Sequence, residues 1–257
     1  MHLDRRNALR AAAAVALGLT ASCDSPRTSP GTAVAPTGQA AAPSPPAGVP
    51  SAIASQRDWP VEIANGPRDR PNVALTFHGQ GDPALARQLL AELERGGATV
   101  TVFAVGSWLA DQAAMARRIL DGGHELGNHT ENHRNIAGMD PSAAFREIND
   151  CAQRLRRLTG SVGQWFRPSQ TRHATAMIHA QAARVGYPTC VSYDVDSLDY
   201  TDPGHAAVTR SVLRDTRAGS IVSLHFGHPG TLAAIGPILD GLRQRRLRPV
   251  TMKELTA

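Results

Sequence analysis

The chain has 257 residues, is 42% hydrophobic but only 4% aromatic, and carries a formal charge of +5. That length allows one or two domains of roughly 100–200 residues each, with a core built mainly from Ala, Val, Leu and Ile. Without the first 22 residues, which hold Arg5, Arg6, Arg10 and Asp4, the charge falls to +3. The rest of the basic residues, including the run Arg243 to Arg248, read as a solvated helix face, and no nucleic-acid partner is expected.

Asp4 to Arg10 forms a positively charged n-region and Ala11 to Leu19 an apolar h-region. The apolar stretch is shorter than the roughly 20 residues of a membrane span and has the length of a signal peptide. The pair Arg5-Arg6 resembles a twin-arginine export signal. Leu19-Thr20-Ala21-Ser22-Cys23 resembles a lipobox, which makes Cys23 the expected lipidation site. The expected organisation is a signal peptide over 1–22, a lipidated Cys23 with a Pro/Ala-rich stalk over 23–57, and a folded domain over 58–257. Such a protein is exported and faces outward from a cell membrane, or is secreted if Cys23 is not lipidated. The stalk composition resists helix and sheet alike.

From Val73 onward strands and helices alternate. Val73–Phe77, Thr99–Val105, His124–Gly127, Gln164–Phe166, Thr189–Tyr193, Ile221–Phe226 and Pro249–Met252 read as strands. Ala84–Arg95, Ala113–Leu120, Pro141–Leu158, Thr175–Val185, Ala206–Thr216 and Leu232–Arg245 read as helices, several closed by glycine. Seven such strands without a nucleotide-binding glycine loop predict an α/β fold, a distorted (β/α) barrel of about seven strands in a single domain. Chemistry in such barrels gathers at the C-terminal ends of strands, where His78, His129, Arg167, Asp196 and His225 stand. Cys151 and Cys190 are left open as a disulfide or two buried thiols.

His129 and His133, four residues apart, are expected to share one cation from a helical turn. Gly123-His-Glu-Leu-Gly-Asn-His-Thr-Glu-Asn-His133 resembles the second motif of the polysaccharide deacetylase family, also called carbohydrate esterase family 4. Leu75-Thr76-Phe77, Phe166-Arg167-Pro168, Asp196-Ser-Leu-Asp199-Tyr200 and Ser223-Leu224-His225 resemble the first, third, fourth and fifth motifs, in order. The resemblance runs from about Asn72 to Leu255.

It implies a hydrolase that removes acetyl groups, N-acetyl first, from a cell-envelope or extracellular polysaccharide, using a divalent metal such as Zn2+. His129 and His133 are then metal ligands and His225 the general acid, oriented by Asp199. Arg167 orients the base. Gln170, through its backbone N–H, Tyr200 and Leu224 are the implied substrate contacts. The family's Asp-Asp pair in the first motif is replaced by His78-Gly79, followed by Gln80-Gly81-Asp82. Three readings stay open. His78 is a third metal ligand; or His78 is the base and Asp82 a ligand; or the metal is lost and the domain binds glycan without cleaving it.

Overall fold

The long central strand of the sheet is buried along its whole length, and the other strands are arranged about it. The structure, a computed structural model, describes residues 60–257. The expected signal peptide, Cys23 and the stalk lie outside the described residues. The strands are β1 (Glu62–Ile63), β2 (Asn72–Gly79), β3 (Thr101–Ala104), β4 (Glu125–Asn128), β5 (Cys190–Val191), β6 (Val195–Asp196), β7 (Ile221–His225) and β8 (Arg248–Val250). The helices are α1 (Pro83–Arg95), α2 (Gly106–Asp111), α3 (Ala113–Asp121), α4 (Pro141–Thr159), α5 (Ala176–Val185), α6 (His205–Asp215), α7 (Pro229–Gln244) and α8 (Met252–Leu255).

β4, β3, β2, β7 and β6 lie side by side and all pair in parallel, while β8 pairs with the start of β2. The ring closes by thinner contacts. Phe166 bridges Asn128 on one side and Cys190 on the other, and the segment 190–196 runs on to pair with β7. The predicted strand Gln164–Phe166 is thus reduced to a one-residue bridge, and here the expected barrel is distorted. The parallel α/β barrel itself is as the sequence predicts.

Periodicity sorts the side chains. Along β2, Leu75 and Phe77 enter the layer shared with α1 and α7, whose Leu89, Leu90, Leu93, Ile235 and Ile238 are buried. Thr76 and His78 face the other way, into the barrel mouth. Phe77 is fully buried, and truncating a buried Phe to Ala costs about 3–5 kcal/mol. Helix ends follow local chemistry. Asp82 caps α1 by accepting the Ala84 N–H at 2.8 Å, and Asp140 caps α4 through Ser142 and Ala143. Gly160 closes α4 at φ 83°, the left-handed cap that favours glycine. Cys151 and Cys190 are buried free thiols, and burial pushes both thiols up, away from thiolate chemistry. No helix among the described residues is long and apolar enough to cross a membrane.

Candidate metal centre and active site

The parallel register puts His78 of β2 directly beside His225 of β7. The N–H of His129, just past β4, bonds the carbonyl of Ala104, the residue paired with Gly79. Three strand ends therefore deliver imidazoles to one pocket. Ring centroids are 4.3 Å apart for His78–His129, 4.4 Å for His78–His225 and 4.9 Å for His129–His133. His78, His129 and His133 offer ligand nitrogens that all lie within 4.8 Å of one another, and they are the metal-capable set among the described residues.

The His129–His133 pair does not sit on a helical turn, as the spacing predicts. Residues 129–135 form a loop, with Thr130 at φ 66° and His133 at φ 53°. Left-handed backbone at non-glycine residues costs about 1–3 kcal/mol each and persists only where surroundings over-determine it. Those surroundings are visible. The first N–H groups of α2, at Gly106 and Ser107, donate to the carbonyls of Thr130 and Glu131 at 2.9 and 2.7 Å. Gln170 donates from Nε2 to the His133 carbonyl at 2.7 Å, and Ser169 accepts the Thr130 hydroxyl at 3.0 Å.

His129 shows what this loop is built to present. Its Nδ1–H donates to the Arg167 carbonyl at 2.9 Å, which leaves Nε2 as a lone-pair acceptor. That Nε2 is buried with no partner. A buried polar atom without a partner is rare, and a ring fixed at Nδ1 by a carbonyl is how proteins prepare a histidine for a metal. Burial first, then the neighbouring charge of His133, pulls His129 well below the usual histidine range. Burial, then His129, does the same to His78, and burial lowers His133. All three rings are held neutral, the form that ligates. The donor set therefore fits a divalent metal of the zinc type.

Arg167 is fully buried beneath this set. It donates to the Thr76 hydroxyl at 2.8 Å, to the Ser192 carbonyl at 3.1 Å and to Nε2 of His78 at 3.3 Å, and its guanidinium lies 4.3 Å from the Phe103 ring centre. Burial brings it down to about 9, still a cation at neutral pH. Among the described residues it has no carboxylate partner. Arg167 can only donate, so Nε2 of His78 is the acceptor and the neutral ring carries its proton on Nδ1; a metal at His78 would take Nε2 and displace that bond.

On the far wall, His225 donates from Nδ1 to Asp199 Oδ1 at 2.6 Å. Asp199 Oδ2 accepts the His225 N–H at 2.8 Å and the Thr231 hydroxyl at 2.6 Å. Burial pushes the Asp199 carboxyl up, but these bonds and the charge of His225 outweigh it and leave it below the usual range. This leaves Nε2 of His225 as the atom available for proton transfer. Tyr200 is 49% exposed and its ring centre is 5.4 Å from that of His225, at the rim of the pocket.

Two predicted site residues stand elsewhere. Asp82 is occupied as the α1 cap and is outside the metal-capable set. Leu224 is fully buried in the helix-facing core, because strand alternation turns it away from Ser223 and His225. Gln170 stands beside His133 at φ 54°. Sequence reasoning missed Thr231 and Glu147, which carry no motif of their own, and gave no role to Ser169 beside the third motif. The one signal for Thr231 is its place in the first turn of the helix that follows His225.

The polysaccharide deacetylase family model matches residues 65–190. A chitooligosaccharide deacetylase of a Bradyrhizobium species is 30% identical, over 62% of this chain and 72% of that protein. The chain belongs to the polysaccharide deacetylase family. A peptidoglycan-N-acetylglucosamine deacetylase of Bacillus cereus is 28% identical over 74% of the chain and 90% of its own length. Among solved structures, a family 4 pseudoenzyme from Bacillus anthracis superposes with a TM-score of 0.72 over 77% of this chain and 69% of its own, at 21% identity. That likeness speaks for the fold alone.

Proposed function

We propose that this polysaccharide deacetylase family member is an exported, metal-dependent hydrolase. It removes acetyl groups, N-acetyl most directly, from a cell-envelope or extracellular polysaccharide of the chitooligosaccharide or peptidoglycan kind. The observation that carries the reading is the orphaned, buried Nε2 of His129 inside a set of three neutral imidazoles. His129, His133 and His78 would hold the metal, with zinc the best match to an all-nitrogen set with an open position. When bound, such an ion polarises the acetyl carbonyl and makes water a nucleophile near neutral pH.

The chain's own residues do the rest. His225, its Nδ1 fixed on Asp199, presents Nε2 to protonate the leaving nitrogen. Arg167 lies beneath His78, and its carbonyl fixes the ring of His129. Gln170 holds the loop of His133, and Tyr200 offers a sugar face at the rim. Arg5-Arg6, the apolar run to Leu19 and Cys23 support export and a lipid tether to a membrane.

One observation favours a second reading, a glycan-binding domain that does not cleave. With a metal bound, the pocket would hold that charge beside Arg167 with no carboxylate in the ligand set, and uncompensated buried charge is expensive. Metal content of the purified protein, measured beside acetate release from acetylated chitooligosaccharide and peptidoglycan, separates the two. Wild type should hold about one divalent ion per chain and His129→Ala should lose it, with hydrolysis falling by more than the about 10–100-fold typical of outer partners. Metal-free wild type without acetate release would establish the second reading.

A further inference from the structure

The loop between the two histidines is clamped by a residue far from it in sequence. Glu147 lies in the second turn of α4 and is only 7% exposed. Both carboxylate oxygens point at one residue of the loop. Oε2 accepts the Asn132 N–H and Oε1 accepts the Asn132 side-chain amide, each at 2.8 Å. The Glu147 carbonyl accepts the Glu131 N–H at 2.8 Å. Two turns further on, Arg154 grips the Glu131 carboxylate, and between them the Ile148 carbonyl accepts the Asn128 amide at 2.9 Å.

Asn132 immediately precedes His133, and Glu131 follows the strained Thr130. Resting on the metal-centre reading above, we infer that Glu147 is a positioning residue that sets the distance between the His129 and His133 rings and so the affinity of the site for metal. The chemistry is specific. A carboxylate has two acceptors and no donor, and Asn132 supplies a matched pair of donors, one backbone and one side-chain. The clamp fixes the residue whose φ, together with that of His133, aims the second ring. A surface glutamate on α4 would face water; this one is spent entirely on the loop.

The matched pair can be inverted. Glu147→Gln keeps an acceptor for the Asn132 N–H and, once the Asn132 amide turns over to present Oδ1, a side-chain bond as well, so alone it is the mild change. Asn132→Asp sets two carboxylates face to face. Combining the two restores complementarity, because the Gln amide can donate to the new carboxylate. The test uses the full chain, Zn2+ affinity by competition with a chromophoric chelator, and thermal melting without metal. Asn132→Asp should weaken Zn2+ binding by about 10–100-fold, the range seen for outer partners of metal ligands; Glu147→Gln alone should lose far less, and the double variant should recover most of the Asn132→Asp loss. Asn132→Ala, which removes only the side-chain half, should fall between the two single changes.

If Glu147 only stabilised the fold, melting would shift while Zn2+ affinity stayed at the wild-type value in every folded variant, and the inference would be wrong. Additive losses in the double variant would also overturn it. Wild type that binds no Zn2+ would sink the metal-centre reading itself, and the clamp with it. Wild type that binds tightly beside unchanged variants would sink the clamp alone.

Discussion

The loop leaving β4 and the loop leaving β2 deliver imidazoles to the same pocket but are held in different ways. The β4 loop, with His129 and His133, is tied by the first turn of α2, by α4 and by Ser169 and Gln170. It tolerates two left-handed non-glycine residues because those ties over-determine it. The β2 end is set mainly by strand pairing, and the ring of His78 takes one side-chain bond, from Arg167. Its continuation depends on glycine. Gly81 at φ 93° lies so near Gly227 that an added Cβ would come within 2.9 Å of the Gly227 Cα. The half of the site resembling its family is held by side-chain and backbone bonds from several separate elements, whereas the divergent half is held mainly by strand pairing at the end of β2.

The largest effect should come from the far wall that both loops face, where Asp199 holds His225. Asp199→Asn leaves the shape of the wall but weakens its hold on the imidazolium of His225. The rate should fall by about 10²–10⁴-fold, the share of a positioned proton donor, while Zn2+ affinity measured by competition stays at the wild-type value. A loss of metal together with rate would show instead that both walls form one unit.

Acid should then separate the pocket from the rest of the fold. His78, His129 and His133 are all lowered in the folded state by burial. The unfolded chain therefore binds protons first as pH falls through about 6.5, the ordinary histidine value. Stability of the metal-free protein is full above that value and declines below it, down through the depressed folded values. Denaturant melts from pH 8 to 5 should show this decline. Histidine-to-alanine change at 129 should flatten it, and an unchanged slope would contradict buried neutral rings.

The β2 side is tested by putting a carboxylate where the family has one. Gly79 has no room for it, since a Cβ there would come within 2.8 Å of Val102 Cγ1 and 3.2 Å of the Ala104 backbone. Overpacking of this kind costs about 1–3 kcal/mol. Gly79→Asp should lower stability by that amount without tightening Zn2+ binding. Tighter binding at unchanged stability would mean that strand β3 yields and that the three-histidine set is not the preferred one.

How much of this was legible in the sequence follows the same division. The buried run Val73–Phe77, the helical spacing of Leu85, Leu89, Leu90 and Leu93 and the closing glycines predict the barrel, because burial and capping leave marks in composition. Helix α2 is missed, since Gly106-Ser107-Trp-Leu-Ala-Asp111 is short and lacks a repeating apolar stripe. The His129–His133 spacing points to the right pair for an incomplete reason. Four residues join two rings through a loop whose left-handed turns no propensity reveals. Glu147 carries no local signal and Thr231 only its place in the first turn after His225, because their meaning lies in partners 15 and 32 residues away.

The smallest effect bears on the residue that glycine-rich flexibility made look available. Asp82 follows Gly79-Gln-Gly81, so a swing back toward His78 is an obvious expectation. In the structure its carboxylate accepts the Ala84 N–H at the start of α1, with Pro83 in the first helical position. A ligand role would take that carboxylate away from the helix end and leave the first turn uncapped. Asp82→Ala should therefore cost about 1 kcal/mol of stability, as loss of an N-cap does, and Asp82→Asn or Asp82→Ser should restore most of it because each supplies a capping oxygen. Zn2+ affinity should be the same in all three. Serine rescuing stability while metal binding still falls would place Asp82 at the metal after all, and the three imidazoles would then be two with a carboxylate.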